Sequence, residues 1–339
     1  MTLRLRLGAA TALLLVALAA LLAGCGGSSH PSIFLYNGQH AELTQALVDA
    51  FEKESGVSVR MRSSDSLVLA SQLQQEGKKS PADVFLAENS PELVTLEEKG
   101  LFAPLPASIR NQVPKRVQSP DGRWTGVALR LVSLVYDPGS VRPSELPRSI
   151  LDLARPEWKG RVALAPTDSD FPPVVAAVIA THGPKAAADW LAGLKRNAKI
   201  YQDYEGALAA VNRGDVPVSI INHYYWYRLQ RELGAGAMKS KLHYFPAPDP
   251  GSIASVSGTG VLETSKKKED AEKFVQFVVG PTGQRILARG DDYEYPVRPG
   301  VPANRVLPPL DTIPHSTRAV ATRSDIEEAA QLIRQAGFV

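Results

Sequence analysis

The sequence predicts an α/β protein of two lobes joined by extended hinge strands, and three observations carry that expectation. Apolar runs bounded by turn residues alternate with helical periodicity from Ser32 to Gly100. After Pro104 the character changes to extended pieces, and a second α/β alternation is rebuilt between Ser149 and Gly234.

Taken in order, SIFLYN (Ser32 to Asn37) is a short apolar run closed by Asn-Gly, the pattern of a buried strand. In AELTQALVDAFEKESG, Leu43, Ala46, Leu47, Ala50 and Phe51 recur at three and four residues, and Gly56 stands where a helix ends. VSVRM then alternates as a strand, so the unit is βαβ and the sheet is at least partly parallel, with right-handed crossovers. A helix over Leu67 to Gln75, a strand over Ala82 to Ala87 and a helix capped by Ser90 and Pro91 and closed by Gly100 repeat the pattern. Leu131 to Tyr136 is a long apolar strand ending in the turn Asp137-Pro138-Gly139, and a crossing segment here suits a hinge. The second alternation reads as a helix, the strand RVALAP, helices at Lys185 to Arg196 and Glu205 to Arg213, the strand VPVSIIN and a helix from Tyr225. The extended SIASVSGTGVLE precedes helices at Lys268 to Val278 and Thr282 to Arg289, which look like first-lobe material resumed. The expected division is a leader over 1–24, a tether over 25–31, a first lobe over 32–132 and 257–315, a second lobe over 133–256, and a C-terminal helix within 316–339 assigned to neither lobe.

With 339 residues a sizeable core is attainable. The formal charge of +3 falls to +1 once Arg4 and Arg6 leave with the leader, so there is no nucleic-acid footprint. Those two arginines precede an apolar run from Gly8 to Gly24, too short and wrongly flanked for a membrane span, and they read as an export signal. Cys25 is the only cysteine, which excludes an intramolecular disulfide. The ending LLAGC resembles the bacterial lipobox, which implies that Cys25 is lipidated and becomes the first mature residue. The protein is then expected to be extracytoplasmic, anchored to the cell membrane by its acyl chains through the flexible tether.

In open α/β sheets, ligands sit in the crevice beyond the carboxyl ends of the strands. That rule selects His40, three residues after SIFLYN, Glu88, directly after ADVFLA, and Tyr224 and Tyr225, behind VPVSIIN. Each residue alone has an ordinary surface or core reading. Together they offer hard anionic oxygens and one imidazole, and two phenolates with one carboxylate match the charge of Fe³⁺.

The stretches YNGQH, PADVFLAE, WKGRVALAPT, GDVPVSIINHYYWYRL and SGTGVLETS, spread from Tyr36 to Ser265, resemble the bacterial ferric-ion-binding receptors of iron(III) ABC importers. The likeness extends over essentially the whole mature chain. It implies a type II periplasmic-binding-protein fold, no enzymatic activity, Fe(III) as cargo, and delivery by a monomer to a permease with its ATPase. By resemblance His40, Glu88, Tyr224 and Tyr225 occupy the iron-ligand positions, and Asn222 matches a residue that helps hold a synergistic anion, carbonate or phosphate.

The chain departs from that pattern where the anion is held. TDSD (Thr167 to Asp170) replaces a small TSGA turn, Tyr204 replaces an asparagine, and Asp292 falls about where an arginine is expected. Phe171 cannot serve as a further phenolic ligand. Asp168, Asp170 or Tyr204 is therefore expected to supply an oxygen in place of the anion, against the rival expectation that the aspartates only cap the next segment. Ser169 and Asp292 belong to the same candidate pocket, and His223 is a minor candidate donor. Two other functions compete. Receptors of the same fold bind thiamine, phosphonate, sulfate or polyols, and an extracellular hydrolase would need a Gly-x-Ser-x-Gly elbow, a His-Glu-x-x-His motif or a phosphate loop, none of which is present.

Overall fold

The computed structural model describes residues 31–316 and 323–338. The leader, Cys25 and all but the last residue of the tether lie outside them.

Three parallel strands open the fold: β1 (Ser32–Asn37), β2 (Ser58–Ser63) and β3 (Val84–Ala87), with β1 in the middle. They are connected by α1 (Ala41–Ser55) and α2 (Ser66–Glu76), and β3 leads into α3 (Ser90–Glu98). Helix α1 buries Leu43, Thr44, Leu47, Val48 and Phe51 and ends at Gly56, whose φ of 72° a β-carbon would disfavour. Burying each of its large apolar side chains contributes about 1.5–3 kcal/mol, so the stripe rather than helix propensity holds α1 in place. The N-cap of α3 is Asn89, not Ser90, which is the first helical residue.

After the short α4 (Ala107–Arg110), β4 (Thr125–Tyr136) runs for twelve residues, all buried. Its beginning pairs with β9 (Ala254–Val261) and β10 (Tyr295–Pro296), and its end pairs with β7 (Val218–Asn222) and β8 (Lys241–His243). The expected boundary at Val132 therefore falls inside one continuous strand. The second half places β5 (Val162–Leu164) parallel to both β6 (Ala198–Ile200) and β7. Around them lie α5 (Phe171–His182), α6 (Pro184–Asn197), α7 (Tyr204–Arg213) and α8 (His223–Leu233). The strand path β2-β1-β3-β9-β4-β7-β5-β6 joins the two halves through β4, the extended connector that the sequence implied.

Strand β9 pairs with β3 on one side and β4 on the other, so Ala254 to Val256, expected in the second lobe, pair with the first-half portion of β4. Helices α9 (Lys268–Val279) and α10 (Pro281–Arg289) pack back against α1. The C-terminal α11 (Arg323–Gln335) lies on α5 and α6 of the second half and also touches α3. Helix α8 begins at His223, two residues earlier than its apolar pattern suggests, because the first turn carries buried polar aromatics instead of an amphipathic stripe. No helix among the described residues is long and apolar enough to cross a membrane.

Candidate metal centre

The turn after β1 is held by its own polar residues. Asn37 Oδ1 accepts from the Gln39 amide at 3.1 Å and the Thr44 hydroxyl at 2.9 Å. Ser66 Oγ donates to the Gly38 carbonyl at 3.1 Å and accepts from the Glu88 amide at 2.9 Å, tying the ends of β1 and β3 together. A β-carbon on Gly38 would lie 2.2 Å from Ser66 Oγ, so this close approach requires glycine. His40 occupies the N-cap of α1 but makes no capping bond with its side chain, which leaves the ring for the interior.

The structure brings His40, Glu88, Tyr224 and Tyr225 together. His40 Nε2 lies 3.8 Å from Glu88 Oε1, its ring meets Tyr224 edge-on at 5.4 Å, and Tyr224 stacks on Tyr225 at 4.1 Å. The Tyr224 hydroxyl is 3.4 Å from Glu88 Oε1. Both phenols donate to one oxygen, Asp170 Oδ2, each at 3.2 Å. That relationship separates the two aspartates. Asp170 is 3% exposed and faces the phenols, whereas Asp168 spends Oδ1 on the Asp170 amide at 3.0 Å and Oδ2 on the Tyr204 amide at 3.1 Å. Of the alternatives Asp168, Asp170 and Tyr204, Asp168 braces the loop in this structure, and the same loop presents Ser169 to solvent. Nor does Asp170 cap α5 with its side chain.

Arg130, in the middle of β4 and fully buried, is the residue that sequence reasoning missed. Its Nη1 reaches Glu88 Oε1 at 2.5 Å and Asp170 Oδ1 at 3.2 Å, its Nη2 donates to the Glu88 carbonyl and to Asn89 Oδ1, and its Nε lies 3.8 Å from Glu294 Oε1. Glu294, also missed, is 1% exposed and accepts from Gln39 Nε2 at 3.2 Å. It is carried inward by a loop in which Tyr293 has a φ of 54°, a backbone region costly for a residue with a β-carbon. A lone arginine inside LRLVSLVY was the available signal, because a charge on a strand buried along its length must have partners.

Burial opposes ionisation of Asp170, yet the Arg130 charge and hydrogen bonds from Asn89, Asn222 and Tyr224 outweigh it and hold this carboxyl below its usual range. Asn222 thus touches the anionic group of the site from the end of β7. Burial pushes Glu88 up to about 7, with Arg130 pulling the other way, and burial pushes Glu294 up to about 8. Burial and the neighbouring Asp170 hold both phenols of the doublet well above their usual value, so without a metal they are protonated donors. Burial and the Arg130 charge lower His40 to about 3, leaving its imidazole neutral and able to coordinate.

Tyr204 packs edge-on against Tyr225 at 5.7 Å, and its buried hydroxyl makes no hydrogen bond; neither does His40 Nε2. Asp292 is half-buried on the loop before Glu294 and makes no hydrogen bond to the phenols, though it feels the charge of Arg228. His223 accepts from the Leu131 amide at 3.1 Å through Nδ1 and stacks on Tyr295 at 5.1 Å, which corrects its reading as a minor donor to one of a core residue. Among the described residues no cluster of His, Cys, Asp and Glu alone suffices to hold a metal, so any metal centre here depends on the phenols. Orphaned imidazole nitrogen, two phenols and two carboxylates are a donor set suited to a hard trivalent cation.

Residues 79–312 match the model of a family described as bacterial extracellular solute-binding proteins. A Serratia marcescens protein named Fe(3+)-binding periplasmic protein is 38% identical over 312 residues, covering 92% of each chain. The structure of iron-bound HitA from Pseudomonas aeruginosa superposes with a TM-score of 0.83 at 38% identity, over 91% of this chain and 99% of that one. A Trichodesmium protein in complex with iron and citrate superposes with a TM-score of 0.80 at 30% identity, over 91% of this chain and all of the other. The fold is that of the type II periplasmic binding proteins, and the chain belongs to the bacterial extracellular solute-binding protein family, within its ferric-binding branch.

Proposed function

We propose that this protein captures Fe(III) between its two halves through His40, Glu88, Tyr224 and Tyr225, and carries it to an ABC importer. The observation that supports this most directly is the convergence of both phenols on Asp170 Oδ2 beside Glu88 and the unpartnered His40 nitrogen. Fe³⁺ displaces the two phenolic protons on the second half, and His40 and Glu88 of the first half then add ligand bonds available only when the halves are together, which biases the protein toward the closed form.

Asp170 serves as the built-in replacement for the anion. With Glu294 neutral at its raised pKa, the four negative groups Glu88, Asp170, Tyr224 and Tyr225 meet the four positive charges of Fe³⁺ and Arg130. An added carbonate or phosphate would leave the buried site with net negative charge, which burial penalises. Tyr204, next to Tyr225, is the reserve oxygen on the same side.

Cys25 carries the lipid that anchors the receptor to the cell membrane on its extracytoplasmic side, and the iron-loaded monomer docks on the permease. Supplying Fe³⁺ as a weak chelate and removing excess by gel filtration tests the cargo. One retained iron per protein, lost on His40→Ala or Glu88→Ala, is the expected result; no retained iron in the parent protein defeats the reading. Incorporation of labelled fatty acid into the parent protein and none into Cys25→Ser supports the anchor, and no incorporation into the parent refutes it.

A further inference from the structure

A second cavity, of about 550 Å³, lies outside the metal centre, between α10 and the loop from Val301 to Val306. Its volume falls in the range of small-molecule sites. Arg285 and Arg289 are four residues apart on α10, so they rise from one face, with Ala288 in the cavity wall beside them, while Gly283, Gln284 and Leu287 are buried. Arg305 faces them from the loop, whose shape is set by Asn304: its Nδ2 donates to the Gly290 carbonyl at 3.3 Å and its Oδ1 accepts from the Val306 amide at 3.2 Å. The lining holds one carboxylate, Asp291, and that group is already paired with Arg231 of α8 at 2.7 Å. Among the described residues neither Arg289 nor Arg305 has an ion-pair partner, and Arg285 makes only a 3.5 Å contact with Thr282 Oγ1. Three guanidinium groups and one acid, the acid paired with Arg231, leave the lining with a positive balance.

We propose that this cavity binds a multivalent anion of the polycarboxylate or phosphate class, the chemistry that keeps ferric iron soluble as a chelate. The proposal rests on iron being the cargo. Exposed guanidinium groups are screened by water, so a single carboxylate gains little, whereas an anion that engages two forks at once gains both charge and geometry. The cavity wall includes Tyr293, whose chain neighbour Glu294 lies 3.8 Å from both His40 Nε2 and Arg130 Nε at the metal centre. A chelator arriving with iron therefore has a resting place beside the cleft once the metal passes to the phenols.

Calorimetric titration of the iron-free protein with citrate, inorganic phosphate and acetate tests this. Citrate is expected to bind, acetate is not, and Arg285→Gln with Arg289→Gln is expected to weaken citrate binding by about tenfold or more, as is Arg305→Gln alone to a lesser extent. Phosphate binding as tightly as citrate at the same arginines assigns the site to phosphate-class anions within the proposal. Unchanged citrate binding in the arginine variants, with their folding confirmed by circular dichroism, overturns it, as does citrate binding that is lost in Tyr224→Phe and kept in the arginine variants. Iron retention is read separately in every variant, so failure of the iron reading and failure of this one give different patterns.

Discussion

Asp170 and Arg130 form a buried ion pair, Oδ1 to Nη1 at 3.2 Å, with side chains 1% and 0% exposed. The pair fixes the loop before α5 to the centre of β4 and aims the other aspartate oxygen at Tyr224 and Tyr225. Removing the cation leaves Asp170, Glu88 and Glu294 crowded in a low-dielectric site. Arg130→Met should therefore cost about 3–5 kcal/mol, the usual penalty for breaking a buried pair by removing one partner. Urea unfolding of the iron-free protein at pH 7 measures it, and an unchanged midpoint would show that the guanidinium is not the organiser described here.

Asp170→Asn keeps the volume and removes one negative charge. In the parent protein, iron affinity should be indifferent to added carbonate or phosphate. In the variant the charge balance is short by one, so either anion should raise affinity by about tenfold or more. Competition against a calibrated chelator, with and without each anion, distinguishes the two. A parent protein that needs an anion contradicts the role given to Asp170.

Burial, followed by the charge of Asp170, holds Tyr224 and Tyr225 above the ordinary phenol value, so both are protonated before metal enters. Loading Fe³⁺ should release two protons from them, and affinity should fall about 100-fold for each unit of pH decrease. Below about pH 7 the slope should steepen, because Glu88, raised to about 7 by burial, begins to take up a proton that iron must also displace. Proton release measured by pH-stat, with the chelator's own protons subtracted, gives the count; a value near zero would mean the phenols are not ligands.

Glu92, on the first turn of α3, has a buried Oε2 without a partner, and burial, with the fields of Asp65 and Glu88 added, raises its carboxyl from 4.5 to about 8. A folded-state pKa above the unfolded one means that its contribution to stability is complete below about pH 4.5 and is lost as pH rises through 8. Glu92→Gln should match the parent near pH 4.5 and exceed it by roughly 2 kcal/mol at pH 9, a value discounted because the rest of the residue is only half-buried. Equal stabilities at both pH values would remove Glu92 from the set of strained charges.

Much of this was legible in the sequence, for identifiable reasons. The βαβ opening, the second alternation and the long connector follow from hydrophobic periodicity, which survives tertiary packing because it is what packing uses. The convergence of His40, Glu88 and the tyrosine doublet was reachable because all four lie just beyond strand ends, where open sheets gather loops. Roles that depend on long-range partners were not reachable. Asp168 and Asp170 sit two residues apart and look equivalent, yet one faces backbone amides and the other faces phenols 54 and 55 residues away. Arg130 and Glu294 are far apart in sequence and meet only when β4 and the loop before β10 are assembled. The beginning of α8 at His223 was obscured because its first turn serves the pocket rather than an amphipathic face.

The visible spectrum of the iron-loaded protein tests the central claim most directly. Tyrosinate bound to Fe³⁺ should give a red to purple charge-transfer band in the parent protein, weakened or shifted by Tyr224→Phe and by Tyr225→Phe and abolished in the double variant. A colourless iron-loaded protein, or a band that survives the double substitution, would contradict the assignment of the doublet as the metal's anchor.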